Sequence, residues 1–445
     1  MRRLGAERSP PGVAACLHDY ALAVYSHARH AHNRGPEHSG HSDDPGGAAR
    51  ERPRAPVSAI AGSVVAAVPG RRPVPLPRGG HDGSASPDGP RIRVAIVGAT
   101  GYVGAELVRL LSRHPNVQIE GLVGRGRTRE PIGGTHIHLD RTGLHVDATV
   151  PDADAIFLAL PHGAAAETVP DLAAQGAAII DLGPDFRLRD PADYPRWYGF
   201  THPRPDLLAG AVYGLPELHH DALAALRTSG PAIVGAPGCY PTATLLALAP
   251  LARAGLIGDL VVDAKSGVSG AGREPKQDLM FGEVNESVKA YGVGGHRHVA
   301  EMEQELAALG EAAISGEPAS GVANPGVRGI DFLPHLVPMT RGILSACHVR
   351  PSRSVTQAEL DALYAEAYAA TPFVHVVAQP PATKHVQGSN TCRVHVRLDE
   401  RTGRVLAIGV IDNLVKGAAG QAIQAFNIVH GLPETTGLEQ HALVP

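Results

Sequence analysis

From Arg91 onward the apolar residues arrive in short runs separated by stretches of helical period. RIRVAIV (Arg91–Val97) is a continuous apolar run of strand length, and GAELVRLLSRHP (Gly104–Pro115) spaces its apolar positions for a helix that proline ends. VQIEGLV (Val117–Val123), DAIFLAL (Asp154–Leu160) and AAIIDLG (Ala177–Gly183) are further strands, with GAAAETVPDLAAQG in the place of a crossover helix between the last two. PAIVG (Pro231–Gly235) runs as a strand into a helix that opens near Thr242. Beyond Cys239 the texture changes. DLVVDAKS, DFLPHLVP, GILSACHVR, TCRVHVRLD and RVLAIGVID follow one another mostly without helices, as in an antiparallel or mixed sheet. The expected fold class is therefore α/β: a Rossmann-like dinucleotide-binding domain, then an α+β domain, with ASGVANPGVRG (Ala319–Gly329) as a surface loop.

Residues 1–90 break the pattern. They are rich in Pro, Gly, Arg and His and carry too little apolar surface to offset chain entropy, which predicts a disordered N-terminal extension. Arg2-Arg3 lacks the sustained apolar run of an export signal, and Val57–Val68 lies too far in to be one. The histidines of this stretch (His27, His30, His32, His38 and His41) read as solvated. Because the first folding signal comes only after it, the extension is also what a start codon assigned too early would produce. The expected boundaries are 1–90 for the extension, 91–238 for the nucleotide domain, 239–412 for the catalytic and dimerisation domain, and 413–445 for a C-terminal helix returning to the nucleotide domain.

The full 445 residues hold two ordinary domains, and a net charge of −4 gives no general attraction to nucleic acid or anionic membrane. Four widely spaced cysteines without a CxxC pair point to neither a disulfide framework nor a zinc site, and fit a reducing compartment. No apolar run is long enough to span a bilayer.

VAIVGATGYVGAEL places Gly98, Gly101 and Gly104 between the first strand and the first helix. Glycines at these positions permit a tight turn, close approach of backbone to a pyrophosphate, and close helix–strand packing, while the helix N-terminus favours the anion. Thr100, Tyr102 and Val103 belong to the same loop. A second strand that ends on an acid suits NAD. Here it ends Val123-Gly124-Arg125-Gly126-Arg127, and Arg125 suits a 2′-phosphate, which points to NADP(H).

APGCYPTAT (Ala236–Thr244) puts Cys239 at a strand-to-helix turn, at or just before the N-cap, where the helix dipole and free N–H groups favour thiolate. A thiol there reads equally as a small structural residue on its own. Beside a dinucleotide domain it reads as a nucleophile. Together, GATGYVGAEL, LPHG, DFRL, WYGF, YGLPEL, GAPGCYPTAT, SGVSGAGR, YGVGGHRHVAEMEQEL and DNLVKGAAGQAIQAFNI resemble the N-acetyl-γ-glutamyl-phosphate reductase family of the semialdehyde dehydrogenase group. The resemblance covers Arg91 to Pro445. It implies NADP(H), a small-molecule acyl phosphate as substrate, reduction to N-acetylglutamate semialdehyde in arginine biosynthesis, and a cytoplasmic homo-dimer or homo-tetramer.

Carried over residue by residue, the resemblance makes Cys239 the nucleophile and His298 the acid/base, with His296 left open beside it. It sets Ser266, Gly267 and Gly270 beside the nicotinamide and Asn413 at its carboxamide. Arg187, Arg273 and Arg297 are the candidate cations for substrate carboxylate and phosphate, with Lys276 a further one; Glu217 is either a supporting substrate-side acid or a solvated turn residue. His136 and His138, placed on one strand face, and His219 and His220 read as structural or solvated. Cys347 and Cys392 read as small core residues, and Cys16 as irrelevant. The loop, thiol and histidine alone would also fit an aspartate-semialdehyde dehydrogenase, or a non-catalytic NADP-binding regulator that kept the fold. GAPGCYPTAT and YGVGGHRH favour the acetylglutamyl enzyme over the first, and the paired Cys239 and His298 argue against the second.

Overall fold

The computed structural model describes residues 91–124, 126–229, 232–315 and 329–443. The expected disordered extension over 1–90 and most of the expected loop over 319–329 lie outside the described residues.

The first sheet is built from β1 (Ile92–Val97), β2 (Val117–Val123), β3 (Glu130–Pro131), β4 (His145–Asp147), β5 (Ala155–Leu158), β6 (Ala178–Asp181), β7 (Ala211–Tyr213) and β8 (Ile233–Gly235), in the order β3-β4-β2-β1-β5-β6-β8-β7. All pairings are parallel except β3 with β4. Fully buried runs such as Ala155–Leu158 and Ala178–Asp181 mark a sheet covered on both faces. The chain goes from β1 to β2 on one side and to β5 on the other, so a crevice opens at the C-terminal ends of β1 and β5, the place where such sheets take their ligands.

Around this sheet lie α1 (Tyr102–Leu111), α2 (Ala164–Ala174) and α3 (Pro216–Ala225). The helix expected over Gly104–Pro115 begins two residues earlier and ends at Leu111, capped by Ser112. It starts immediately after Gly101, whose extended backbone makes it the N-cap. THIHLD, expected as a strand, is instead a 3₁₀ turn (Ile137–Thr142) with buried His136 at its head.

The second sheet comprises β9 (Ile257–Gly267), β10 (Lys289–Ala290), β11 (Asp331–Val337), β12 (Ile343–Pro351), β13 (Val374–Val376), β14 (Cys392–Asp399) and β15 (Arg404–Ile411), in the order β10-β11-β9-β12-β15-β14-β13. It is mixed, with β11 parallel to β9 and β13 parallel to β14. Helix α4 (Cys239–Arg253) lies on it, buried from Tyr240 to Ala252. Gly409 of β15 allows that approach, since a Cβ there would sit 2.2 Å from the Ala243 carbonyl. Pro250 inside α4 leaves the Leu246 carbonyl without its helical partner, and Tyr368, just beyond α6 (Gln357–Ala367), donates its hydroxyl to it. Helix α5 (His298–Ser315) packs beside α4.

From β15 the chain makes a π-helical turn (Val415–Ala419) into α7 (Gly420–Val429), which is buried along its whole length. Val415, Ala419, Ala422, Ile423 and Phe426 share one apolar core with Val94, Ile96, Leu107 and Phe157 of the first sheet and α1. The last helix thus ties the two sheets together.

Candidate active site

Two cavities share Cys239 in their walls. The first, of about 300 Å³, lies in the crevice of the parallel sheet and is lined by Gly98, Gly101, Tyr102, Val103 and Gly104 on one side and by Ser269, Gly270, Asn413 and Gly417 on the other. The second, of about 480 Å³, is lined by Trp197, Tyr240, Ser266, Lys276, Tyr291 and His296 among others. Cys239, Gly270, Arg297 and His298 line both.

The glycine loop explains its own composition. Gly98 has φ +87° and lies so near Ala159 that a Cβ would meet its carbonyl oxygen at 2.3 Å, while a Cβ on Gly104 would meet the Gly98 carbonyl at 2.2 Å. Gly101 has only the Gly98 carbonyl within 4 Å of such an atom, so a Cβ there would fill the cavity instead. Gly101 is also the N-cap of α1 and carries no side-chain cap, leaving the first-turn N–H groups to a ligand. This cradle fits a dinucleotide pyrophosphate. Thr100 contributes from behind: its carbonyl accepts from His136 Nε2 at 3.0 Å, so the histidine read as structural or solvated props the loop. Arg125, the candidate for the 2′-phosphate, lies outside the described residues, and its neighbour Arg127 is paired with Glu130.

Gly238, with extended backbone, is the N-cap of α4. Cys239 is therefore the first helical residue, one position further in than the sequence suggests, and Pro241 follows at the third. A second expectation is corrected here as well. Burial pushes the Cys239 thiol up to about 11, opposed by the Arg187 charge and by the N–H of Tyr240, so the resting group is a protonated thiol at neutral pH and not a standing thiolate.

His298 sits against the N-cap. A Cβ on Gly238 would lie 2.5 Å from His298 Nε2, so only glycine fits there. The imidazole is buried, and its Nδ1 has no hydrogen-bond partner among the described residues. Burial holds its pKa well below the usual range, helped by the nearby His296, Arg187 and Arg297, so it is neutral at neutral pH. His296 differs. Its Nδ1 accepts from the His298 N–H at 3.2 Å and its carbonyl from the Val299 N–H, so it caps α5 while facing only the second cavity.

Beneath these groups lies Glu301, which no sequence argument singled out. It is wholly buried and shares one face of α5 with His298 through i, i+3 spacing. Arg187 Nη1 donates to its Oε1 at 3.1 Å and Tyr198 OH at 3.2 Å; Tyr213 OH donates to Oε2 at 3.0 Å and the Gly238 N–H at 2.9 Å. Its Oε1 is 4.0 Å from His298 Nε2. One carboxylate thus fixes the N-cap before the thiol, the histidine beside it and the arginine behind it. The i+3 position after His298, with the two tyrosines of WYGF and YGLPEL, was the available signal.

Arg187 lines the first cavity, yet three of its five N–H groups are committed: Nε to the Ala236 carbonyl at 2.7 Å, Nη2 to the Leu182 carbonyl at 2.8 Å, and Nη1 to Glu301. It braces the strand ends and shifts the thiol more than it reaches for a ligand. Arg297 is exposed at the junction of the cavities, and Arg273 is exposed on the first, where its charge acts on His136 beneath the glycine loop. His162, also on the first cavity, is held at about 4 by burial and the nearby Arg297 and Arg187. Behind them Asp185 accepts from the N–H groups of Gly163 and Ala166 at the start of α2, and buried Asp181 is raised to about 8 by desolvation and by Asp185.

Four expected contacts change. Glu217 reaches neither cavity; it is buried against Lys416. Gly267 lines neither, and its missing Cβ instead makes room for the Thr340 carbonyl at 2.7 Å. Asn413 lines the first cavity, but its Oδ1 accepts from the Gly342 N–H at 2.7 Å and its Nδ2 donates to Ser269 Oγ at 2.9 Å, leaving one amide hydrogen for a ligand. Ser266, expected beside the nicotinamide, is buried on the second cavity and does not line the first, and Gly270 stands between the two. His219 bonds Glu305 at 2.6 Å, His138 and His220 are exposed, and Cys347 and Cys392 are buried.

Comparison with known proteins agrees with this geometry. A family model described as the NAD binding domain of semialdehyde dehydrogenase matches residues 93–226, and one described as its dimerisation domain matches residues 239–413. The N-acetyl-gamma-glutamyl-phosphate reductase of Heliobacterium modesticaldum is 47% identical over 366 residues, covering 80% of this chain and 100% of its own. The chain belongs to the N-acetyl-gamma-glutamyl-phosphate reductase family. The reductase of Symbiobacterium thermophilum is likewise 47% identical over 357 residues, covering 78% of this chain and 97% of that one. Aspartate semialdehyde dehydrogenase of Candida albicans, solved with NADP, aligns with a TM-score of 0.58 at 16% identity over 76% of this chain and 98% of that chain. Aspartate semialdehyde dehydrogenase II of Vibrio cholerae aligns with a TM-score of 0.55 at 19% identity over 77% of this chain and 99% of its own. The two solved structures share the fold of this reductase family.

Proposed function

We infer that this chain reduces N-acetyl-γ-glutamyl phosphate to N-acetylglutamate semialdehyde with release of phosphate, using NADPH, as a step of arginine biosynthesis. The observation that carries the reading is Cys239 in the wall shared by a dinucleotide cradle and a second, cation-lined cavity.

Gly98, Gly101, Gly104 and the bare N-terminus of α1 would hold the cofactor pyrophosphate, and Asn413 would offer it a spare amide hydrogen near Gly270. When bound, NADPH supplies the hydride that reduces the acyl carbon. Neutral His298 takes the proton of the Cys239 thiol, which at neutral pH does not leave by itself. The sulfur then attacks the acyl phosphate carbon; the carbon–oxygen bond to phosphate breaks, phosphate leaves, and a thioester remains. After reduction, His298 returns the proton as the carbon–sulfur bond breaks and the aldehyde departs. Arg297, exposed beside the thiol, and Lys276 supply positive charge for phosphate and carboxylate. Glu301 lies close enough to favour imidazolium while the proton is held.

The second domain implies a homo-oligomer, read here as a dimer or tetramer of a cytoplasmic enzyme. Among the described residues, no helix is long and apolar enough to cross a membrane. The deciding assay follows phosphate-dependent NADP reduction by the purified protein with N-acetylglutamate semialdehyde and, separately, aspartate semialdehyde. Turnover of the first is expected, and turnover of the second alone overturns the assignment.

A further inference from the structure

Lys416 is wholly buried, a costly place for an ammonium group unless it is paired and hydrogen-bonded. Its Nζ donates to Glu217 Oε1 at 2.6 Å and to Gln424 Oε1 at 2.7 Å. Gln424 Nε2 returns to Glu217 Oε1 at 3.1 Å and to Glu434 Oε2 at 2.8 Å, and Asn390 Nδ2 donates to Gln424 Oε1 at 3.0 Å. The partners come from separate parts of the molecule: Glu217 from α3 beside the first sheet, and Gln424 from α7. Oε2 of Glu217 is buried with no partner among the described residues, so its charge is met through Oε1 alone.

The place of Lys416 in the chain gives this cluster a purpose. It lies in the π-helical turn Val415–Ala419, in which the Gly417 N–H reaches back to the Asp412 carbonyl at 2.9 Å. A widened turn of this kind is uncommon and occurs often at functional sites. The next residue, Gly417, presses on the nucleophile: a Cβ there would lie 2.8 Å from Cys239 Cβ. Asn413, Leu414, Gly417 and Ala418 of the same stretch line the cofactor cavity. The turn therefore forms one wall of the cradle and a stop against the reactive side chain at once.

We propose that Lys416 is a positioning residue for hydride transfer: its buried bonds to Glu217 and Gln424 fix the π-helical turn that sets Cys239 against the cofactor. This rests on the thiol reading above. Charge-assisted hydrogen bonds are directional, whereas apolar packing fills volume without fixing an angle. Apolar residues of similar size can therefore keep the fold and still lose the register of the turn.

The test uses Lys416→Met, Glu217→Leu and the double variant in the full chain. Each single change strands a buried charge, and either protein can fail to fold. The double variant removes both charges and should melt near the wild-type temperature. Three quantities are then read on the double variant: kcat with N-acetylglutamate semialdehyde, the dissociation constant for NADPH, and the iodoacetamide alkylation rate of the Cys239 peptide by mass spectrometry. The proposal expects kcat and the Cys239 alkylation rate each to change at least tenfold in a protein of unchanged melting temperature, with NADPH weakened several-fold. A double variant that recovers stability together with wild-type kcat and alkylation rate shows a purely structural pair and overturns it. A double variant that melts far below wild type overturns it also, because the ion pair would then be serving the fold itself. Loss of all turnover by the unaltered chain would instead be the failure of the functional assignment.

Discussion

Glu301→Gln isolates the charge of the buried hub while keeping its shape. Four donors converge on the carboxylate, from Arg187, Tyr198, Tyr213 and the Gly238 backbone, at 2.9 to 3.2 Å. A glutamine offers one acceptor oxygen, so two of the four donors face an NH₂ group, and buried Arg187 loses its counter-charge. Breaking a buried pair from one side costs about 3–5 kcal/mol, and that figure already contains much of the cost of the unmatched donors. At about 1.4 °C per kcal/mol for a folded body of roughly 340 residues, the melting temperature should fall by roughly 4–7 °C. The effect on the thiol has the opposite sign. The Glu301 charge helps hold Cys239 in its protonated form, so its removal lowers the thiol pKa and moves the alkylation profile of Cys239 to lower pH. Turnover should nevertheless fall, because the N-cap before Cys239 and the support of His298 are both loosened. The assays are thermal melting, iodoacetamide alkylation across pH, and steady-state reduction. A melting temperature within about 2 °C of wild type together with an unmoved alkylation profile would refute the reasoning.

Other outcomes follow from the same geometry. His298→Gln should cut kcat by about a hundredfold or more, whereas His296→Ala, which removes a helix cap, should cost about 1 kcal/mol of stability and leave kcat within a few-fold; equal losses of kcat would show that the roles are not divided. In the ligand-free protein the alkylation rate of Cys239 should climb about tenfold per pH unit from neutrality upward, since burial holds the thiol at about 11; a plateau near neutral pH would contradict this. Asp181 keeps its proton in the folded protein up to about 8, while the unfolded chain releases it near 3.8, so its contribution to stability is intact below the lower value and declines as pH rises toward the upper one. Asp181→Asn cannot ionise and should flatten that decline in melting experiments between the two values; parallel slopes in the two proteins would count against it.

Much of this site was legible in the order of residues because it rests on local rules. The glycines at 98, 101 and 104 serve a strand–turn–helix geometry that spans only a few positions, and Cys239 declares itself by the glycine and proline turns around it. His298 could be named but not separated from His296. The difference is that one imidazole rests on Gly238, sixty residues away, while the other turns back to cap its own helix. Glu301 and Lys416 stayed hidden for a related reason. A glutamate or lysine in a helical stretch reads as a solvated face, and only the meeting of distant elements shows it to be buried. Glu217 was misplaced in the same way: YGLPEL looks like an exposed turn until α7 folds over it. The THIHLD segment misled through apparent alternation, which a short 3₁₀ turn imitates.

Cys239 lines both cavities, so a molecule in the crevice of the parallel sheet and one in the second cavity reach it from separate sides. Neither has to withdraw for the other to enter. Two molecules can therefore be seated against Cys239 at once, one in each cavity, and the architecture does not impose the order in which they arrive.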